Sequence, residues 1–246
     1  MRSIERVAMR LGAIVLLSLT AGVASAQNVT FSFASDVASN EPTFEGQADT
    51  GVISVVRIPT GLEVDDANGP LPTLSYDTRF YCDFQLTYSG SFNLPGGQVL
   101  HTYGVDGTFR FQSSTVMQVT IEDGVLTALG DANGWGSTAT IQASSLAGSN
   151  VNYEWQAASQ AAYNLFTGAS TSDMTDAAFT LTDIFSFPAG AAGVPGVTIN
   201  PQTGLPNVAW ESEGSYSGSA FFVPAPGTAM IAGLGLTALG RRRRNS

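Results

Sequence analysis

Side chains able to do chemistry are few in this sequence, and its single histidine, His101, would have to carry most of it. A Ser-His-Asp relay would need that imidazole as its general base. No Gly-x-Ser-x-Gly elbow accompanies it, and no serine stands in a motif that marks a nucleophile. A structural or surface histidine is the simpler reading. With one histidine and one cysteine, Cys82, neither a His-based nor a Cys-based zinc site is expected. The lone cysteine also excludes an intramolecular disulfide.

Three further constellations invite a chemical reading. Glu211 and Glu213 flank Ser212 beside Trp210, which suggests the paired carboxylates and aromatic platform of a glycosidase. In a strand, residues i and i+2 share one face about 7 Å apart, so a solvated strand face accounts for the pair without a reaction. Asp65-Asp66-Ala67-Asn68-Gly69 and Asp131-Ala132-Asn133-Gly134 carry the oxygen ligands that Ca²⁺ prefers. Neither supplies the later bidentate Glu of a calcium loop, so hairpin turns are the default and no cofactor is expected, calcium being the one the residue types would suit. Trp135, Trp155 and Trp210, with seven tyrosines, could stack on sugars or fill a core, and the core is the commoner use.

Charge narrows the classes of partner. The chain of 246 residues has no lysine, and its ten basic residues are all arginine. Seven of them lie near the two ends, at Arg2, Arg6, Arg10 and Arg241 to Arg244. Between the ends Arg57, Arg79 and Arg110 face nineteen acids (twenty less Glu5), a net charge of −16. Such a body repels phosphate backbones, and no nucleic acid partner is expected.

The elements that must position these residues read as strands. Val29 to Phe33 alternates with period two, and Phe80 to Tyr88 places Phe80, Cys82, Phe84, Leu86 and Tyr88 on one apolar face. That face predicts a buried, inert Cys82. Further strands are predicted at Val52–Ile58, Val99–Tyr103, Thr108–Phe111, Thr115–Ile121, Val125–Leu129, Thr138–Ile141, Phe179–Phe187 and Ser215–Phe222. Asn68-Gly69, Asp106-Gly107, Asp123-Gly124 and Asn133-Gly134 fall between apolar runs and predict hairpin turns. The expected fold is all-β, an antiparallel sandwich or jelly-roll-like body. One helix is expected over Asn150–Phe166, which lacks Gly and Pro and spaces Trp155, Ala158, Ala162 and Phe166 helically. Asn200-Pro201-Gln202-Thr203-Gly204 looks like a sortase pentapeptide, but Glu211 and Glu213 follow where an apolar span is needed, so a Pro-Gly turn is expected there.

The ends read as addresses. Residues 1–26 combine Arg2, Arg6 and Arg10 with the apolar stretch Leu11 to Leu19 and the small-x-small triplet Ala24-Ser25-Ala26, the pattern of a secretory signal peptide cut before Gln27. Residues 27–223 form the extracytoplasmic body. Residues 224–246 close the chain: Val223-Pro224-Ala225-Pro226 leads into the uncharged run Gly227 to Gly240, then Arg241-Arg242-Arg243-Arg244. As a helix those fourteen residues would reach about 21 Å, short of the roughly 30 Å hydrocarbon core of a bilayer. The arginines favour the cytoplasmic side, which leaves the body outside, in agreement with the signal peptide.

This three-part tail resembles the PEP-CTERM sorting signal of proteins handled by exosortases in bacteria with an outer membrane. The Val-Pro-Glu-Pro box of that family corresponds to Val223 to Pro226, with Ala225 where the family usually has Glu. The resemblance implies transient retention in the inner membrane, recognition by an exosortase-like membrane enzyme, cleavage near the box and delivery to the cell surface or extracellular matrix, often with exopolysaccharide. The expectation is an exported, non-catalytic protein, structural or adhesive, served by the secretion machinery and signal peptidase. The alternatives are a carbohydrate-binding module on the same fold and, behind it, a glycan hydrolase.

Overall fold

The computed structural model describes residues 27–34, 43–66, 73–112, 117–155, 170–171, 174–187 and 193–223. Residues 1–26, expected to be a signal peptide, and the residues after Val223 lie outside this set. Thirteen strands follow in order: β1 Gln27–Ala34, β2 Phe44–Gly46, β3 Val52–Asp66, β4 Leu74–Asn93, β5 Val99–Gln112, β6 Met117–Asp131, β7 Gly134–Ser144, β8 Asn150–Trp155, β9 Ser170–Thr171, β10 Asp176–Ser186, β11 Val194–Pro195, β12 Val197–Thr198 and β13 Trp210–Val223. A 3-10 turn, Ser145–Ala147, separates β7 from β8. All named strand pairs are antiparallel, and among the described residues there is no α-helix.

The hydrogen bonding returns on itself. From β2 to β7 the strands form an uninterrupted meander; β7 then pairs with β10, β10 with β13, and β13 with both β1 and β2. Strands β1 and β2 both pair with β3, sharing the gap between β13 and β3, which completes the circuit. Closure leaves the long strands few free edges. β1 also fills the interior, since Val29, Phe31 and Phe33 bring the N-terminal strand's apolar side into the core.

Period-two burial runs through the long strands. In β4 the side chains from Tyr76 to Leu86 alternate buried and exposed, and Cys82 is buried on the inner side as its spacing predicts. The interior is filled by rings from opposite walls. Phe109 of β5 meets Phe179 of β10 edge-on at 4.9 Å between centroids, and Phe33 of β1 packs on Phe80 of β4 at the same separation. Edge and tilted contacts of this kind contribute about 0.5–1.5 kcal/mol each beyond area burial. Past Leu86 the β4–β5 hairpin leaves the body, and its tip from Thr87 to Gln98 is largely exposed.

Two sequence expectations need correction. Asp106-Gly107 and Asp123-Gly124 do not make hairpins; each lies inside one long strand, at a register shift between β5 and β6. Asp123 takes φ 57° and Gly107 φ 148°. A bulge needs the same left-handed tolerance as a tight turn, so the dipeptides bend two long strands instead of ending four short ones. Asn133-Gly134 does make the β6–β7 hairpin. The turn at Asn68-Gly69 lies outside the described residues, although β3 and β4 pair antiparallel on either side of it.

The expected helix over Asn150–Phe166 begins instead as β8. Val151, Tyr153 and Trp155 are buried in alternation, and pairing with β6 outweighs helical propensity there. Residues 156–166 lie outside the described set.

Candidate functional site

The sorting residues read from sequence meet the described structure at two points. Gln27, the expected first residue after signal cleavage, is the first residue of β1. Val223, the first residue of the box, is the last of β13. In the antiparallel register Gln27 stands opposite Phe222, and on the other flank of β13 Val223 stands opposite Ser170 of β9. The structure therefore brings the two expected processing junctions together. Ala24, Ala26, Pro224, Ala225, Pro226 and Arg241 to Arg244 lie outside the described residues. Nothing in the sequence signalled the part of β9, a two-residue strand.

His101 is buried on the inner side of β5. Its Nε2 lies 2.8 Å from the carbonyl oxygen of Asp131, which can only accept, so Nε2 donates. Nδ1 is buried without a hydrogen-bond partner. A triad needs the opposite wiring, with a nucleophile on one ring nitrogen and a carboxylate on the other. The histidine instead ties β5 to the β6–β7 turn.

Trp210, Glu211 and Glu213 are not brought together. Trp210 points inward and is 1% exposed, whereas Glu211 and Glu213 point outward from β13. Glu211 stands opposite Glu45 of β2, an unfavourable like-charge pairing, and Glu213 opposite Thr182 of β10. Trp135 and Trp155 are buried as well. Trp135 Nε1 donates to the Tyr103 hydroxyl at 2.9 Å, and that hydroxyl donates to the Gly204 carbonyl at 2.8 Å. Burial pushes the Tyr103 phenol up to about 12. This chain fixes the Asn200–Gly204 turn to the core. The turn itself is closed by the Gly204 N–H donating to the Asn200 carbonyl four residues back, one residue wider than a β-turn. On the outer face the Arg110 guanidinium lies 4.8 Å from the centroid of the Tyr81 ring, its cross-strand partner.

Asp65 and Asp131 make local hydrogen bonds. Asp131 accepts from the Asn133 N–H at 2.7 Å, an Asx turn within the β6–β7 hairpin. Asp65 accepts from the Thr73 hydroxyl at 2.7 Å across the β3–β4 connection. Among the described residues no three His, Cys, Asp or Glu side chains are grouped to share a metal ion.

A buried polar cluster that sequence reasoning missed lies toward the Gln27 end. Tyr153 of β8 donates to the Asp176 carbonyl and is joined to the Tyr216 hydroxyl at 2.6 Å. Burial raises both phenols far above their ordinary range. Gly218 makes the room: a Cβ there would fall 2.2 Å from the Tyr153 oxygen and 2.3 Å from that of Tyr216. Tyr216 and Gly218, two residues apart on one strand face, were the available signal. Compared with family models, with curated proteins and with solved structures, the chain matches none of them.

Proposed function

We propose that this chain is an exported, non-catalytic bacterial protein of the cell surface or matrix, whose two ends are addresses and whose body is a scaffold for display. The tail carries the reading: a Pro-bounded box, an uncharged span and four arginines follow directly on the last strand of the body. The arginines are costly to draw through a bilayer, so secretion stalls with the box at the outer face, where an exosortase-like enzyme would reach it. A span of about 21 Å anchors weakly, so a cut completes the sorting.

The body supports this reading by its faces. Outward positions of β4 include Asp77, Arg79, Asp83 and Gln85, whereas the interior is apolar, the reverse of the alternation in a transmembrane barrel. Among the described residues no helix is long and apolar enough to cross a membrane. Because rings from opposite walls touch, we read the closed sheet as sandwich-like in cross-section. Sugar binding through tryptophan platforms ranks lower, since all three tryptophans are in the core.

The test is deletion of residues 224–246. Soluble protein outside the inner membrane is the expected result, and replacing Arg241 to Arg244 with neutral residues should weaken the stop. Identical fractionation of the truncated and complete chains would refute the reading.

A further inference from the structure

We infer that the open edge of β4 beyond Tyr88 is a strand-pairing site for a second copy of this chain, the two edges meeting antiparallel about a two-fold axis at Phe92. The inference stands apart from the sorting role proposed above.

The edge is open because β3 flanks only part of β4. Their pairing ends at Gln85 opposite Val52, and the Leu86 N–H then donates to the Gly51 carbonyl. On its other flank β4 stays paired with β5 as far as Asn93. Among the described residues no backbone group bonds to the first flank between Gly90 and Asn93, and all of Thr87 to Gln98 except Gly90 is exposed. A row of unpaired backbone groups is a template for another strand.

The direction of those groups sets the register. The Leu94 N–H donates to the Gln98 carbonyl and so points toward β5. Peptide groups alternate along a strand, so those of Phe92, opposite Leu100, also serve β5, whereas the N–H and C=O of Ser91 and Asn93 point out of the open flank. With Phe92 on the axis, Ser91 of each copy faces Asn93 of the other, and each such pair exchanges both N–H···O bonds. Phe92 then meets its own copy in a non-hydrogen-bonded pair, the closer of the two antiparallel spacings at about 4.5 Å between Cα atoms. Leu94 falls beside Gly90, where even an added Cβ would meet nothing within 4 Å.

Charge selects a second copy as the occupant. The body has a net charge of −16, so copies repel wherever their acids face each other. Thr87 to Val105 carries no Asp, Glu, Arg or Lys, and neither does Gly124 to Gly130 of β6 beside it. A charged peptide would find no counter-charge on this edge. Phe92 is 63% exposed, and its row continues through Leu100 into Leu129, its neighbours in register. Pairing joins the two apolar rows into one. An isologous contact uses both edges and closes at the dimer, and the bulge at Ser89, between the Tyr88 and Gly90 pairings, bends the edge away from further addition. So short an edge buries well under the roughly 800 Å² per partner of a stable interface, so the pair is weak and forms at high local concentration.

The experiment uses the full chain in mild detergent, with one reporter cysteine per chain; native Cys82 is buried. Under a mild oxidant a mixture of Ser91→Cys and Asn93→Cys chains should form a mixed disulfide dimer roughly tenfold faster than either variant alone, because only the mixed pair lies about 5.5 Å apart between Cα atoms, within disulfide reach. Gln98→Cys at the turn and Ser137→Cys on β7 give the collisional rate. Association through the tail is common to all variants and cancels. Adding Phe92→Glu, which sets two carboxylates against each other on the axis, should bring the mixture down to the Ser137→Cys rate. A mixture no faster than Ser137→Cys overturns the inference, and so does a fastest link between two Gln98→Cys chains, which would mean turns touching without strand pairing. Binding to neutral phospholipid vesicles that Phe92→Glu abolishes, without the mixed disulfide, would give the edge to a lipid surface and overturn it as well.

Discussion

The backbone N–H of Asp123 donates to the carboxylate of Asp106 at 2.8 Å, joining the bulge in β6 to the bulge in β5. The two long strands bend together at this point. Gly107 is the tight part of the joint, for a Cβ there would fall 2.1 Å from the Asp83 carbonyl oxygen, at a φ of 148°. Gly107→Ala should cost about 3 kcal/mol through backbone strain and clash. Asp106→Ala, losing one exposed hydrogen bond, should cost about 0.5–1 kcal/mol. Denaturant midpoints of the two variants check the ranking; equal midpoints would show that the bulge is soft.

This joint also shows where sequence reading stops. Alternation from Phe80 to Leu86 gave the inner face of β4 and the burial of Cys82, because one wet face and one dry face leave a direct trace in residue order, whereas Tyr88, expected on the same face, is exposed beside the register shift that follows it. Asp-Gly leaves the same trace in a turn and in a bulge, and only the partner strand decides between them. The face assignment of Trp210 against Glu211 and Glu213 follows from alternation too, once a strand is granted at that position. The pairing of Gln27 with Phe222 has no such trace, since nothing local in either segment names a partner some two hundred residues away.

The Tyr153–Tyr216 pair allows a directional test. Tyr153 already donates to the Asp176 carbonyl, so the proton between the two phenols comes from Tyr216. Tyr216→Phe then removes one hydrogen bond and leaves Tyr153 satisfied, at about 1 kcal/mol. Tyr153→Phe strands the Tyr216 hydroxyl and the Asp176 carbonyl together, and should cost about 2–3 kcal/mol. Gly218→Ala should exceed both, because the new methyl must displace two buried hydroxyls. Thermal unfolding that places Tyr216→Phe below Tyr153→Phe would reverse the assigned donor.

Cys82 should be silent in the native state. Its thiol is buried among Phe80, Phe84 and Val55, and burial raises its pKa well above the ordinary range, with Asp83 adding to the rise. The thiolate is the reactive form, so both access and ionisation oppose labelling. Reaction with a thiol reagent should proceed at the rate of unfolding and accelerate with denaturant; rapid native labelling would contradict the inner position of this side chain.

Alkali should unfold the protein through its buried phenols. An unfolded tyrosine ionises near pH 10. Burial holds Tyr103 protonated up to about 12, and Tyr153 and Tyr216 are also raised, so through this window the native chain keeps protons that the unfolded chain has lost. Stability is therefore undiminished by these groups below about pH 10 and falls above it, by about 1.4 kcal/mol per pH unit for each phenol still protonated. Tyrosinate absorbance should rise in two stages, the exposed rings first and the buried ones together with loss of the β-sheet circular dichroism signal. Tyr103→Phe removes one contributor and should make the alkaline fall less steep, although its neutral-pH stability is lower for want of the bond to Gly204. All the tyrosines titrating smoothly near pH 10 with the sheet signal intact would show that these hydroxyls are open to solvent.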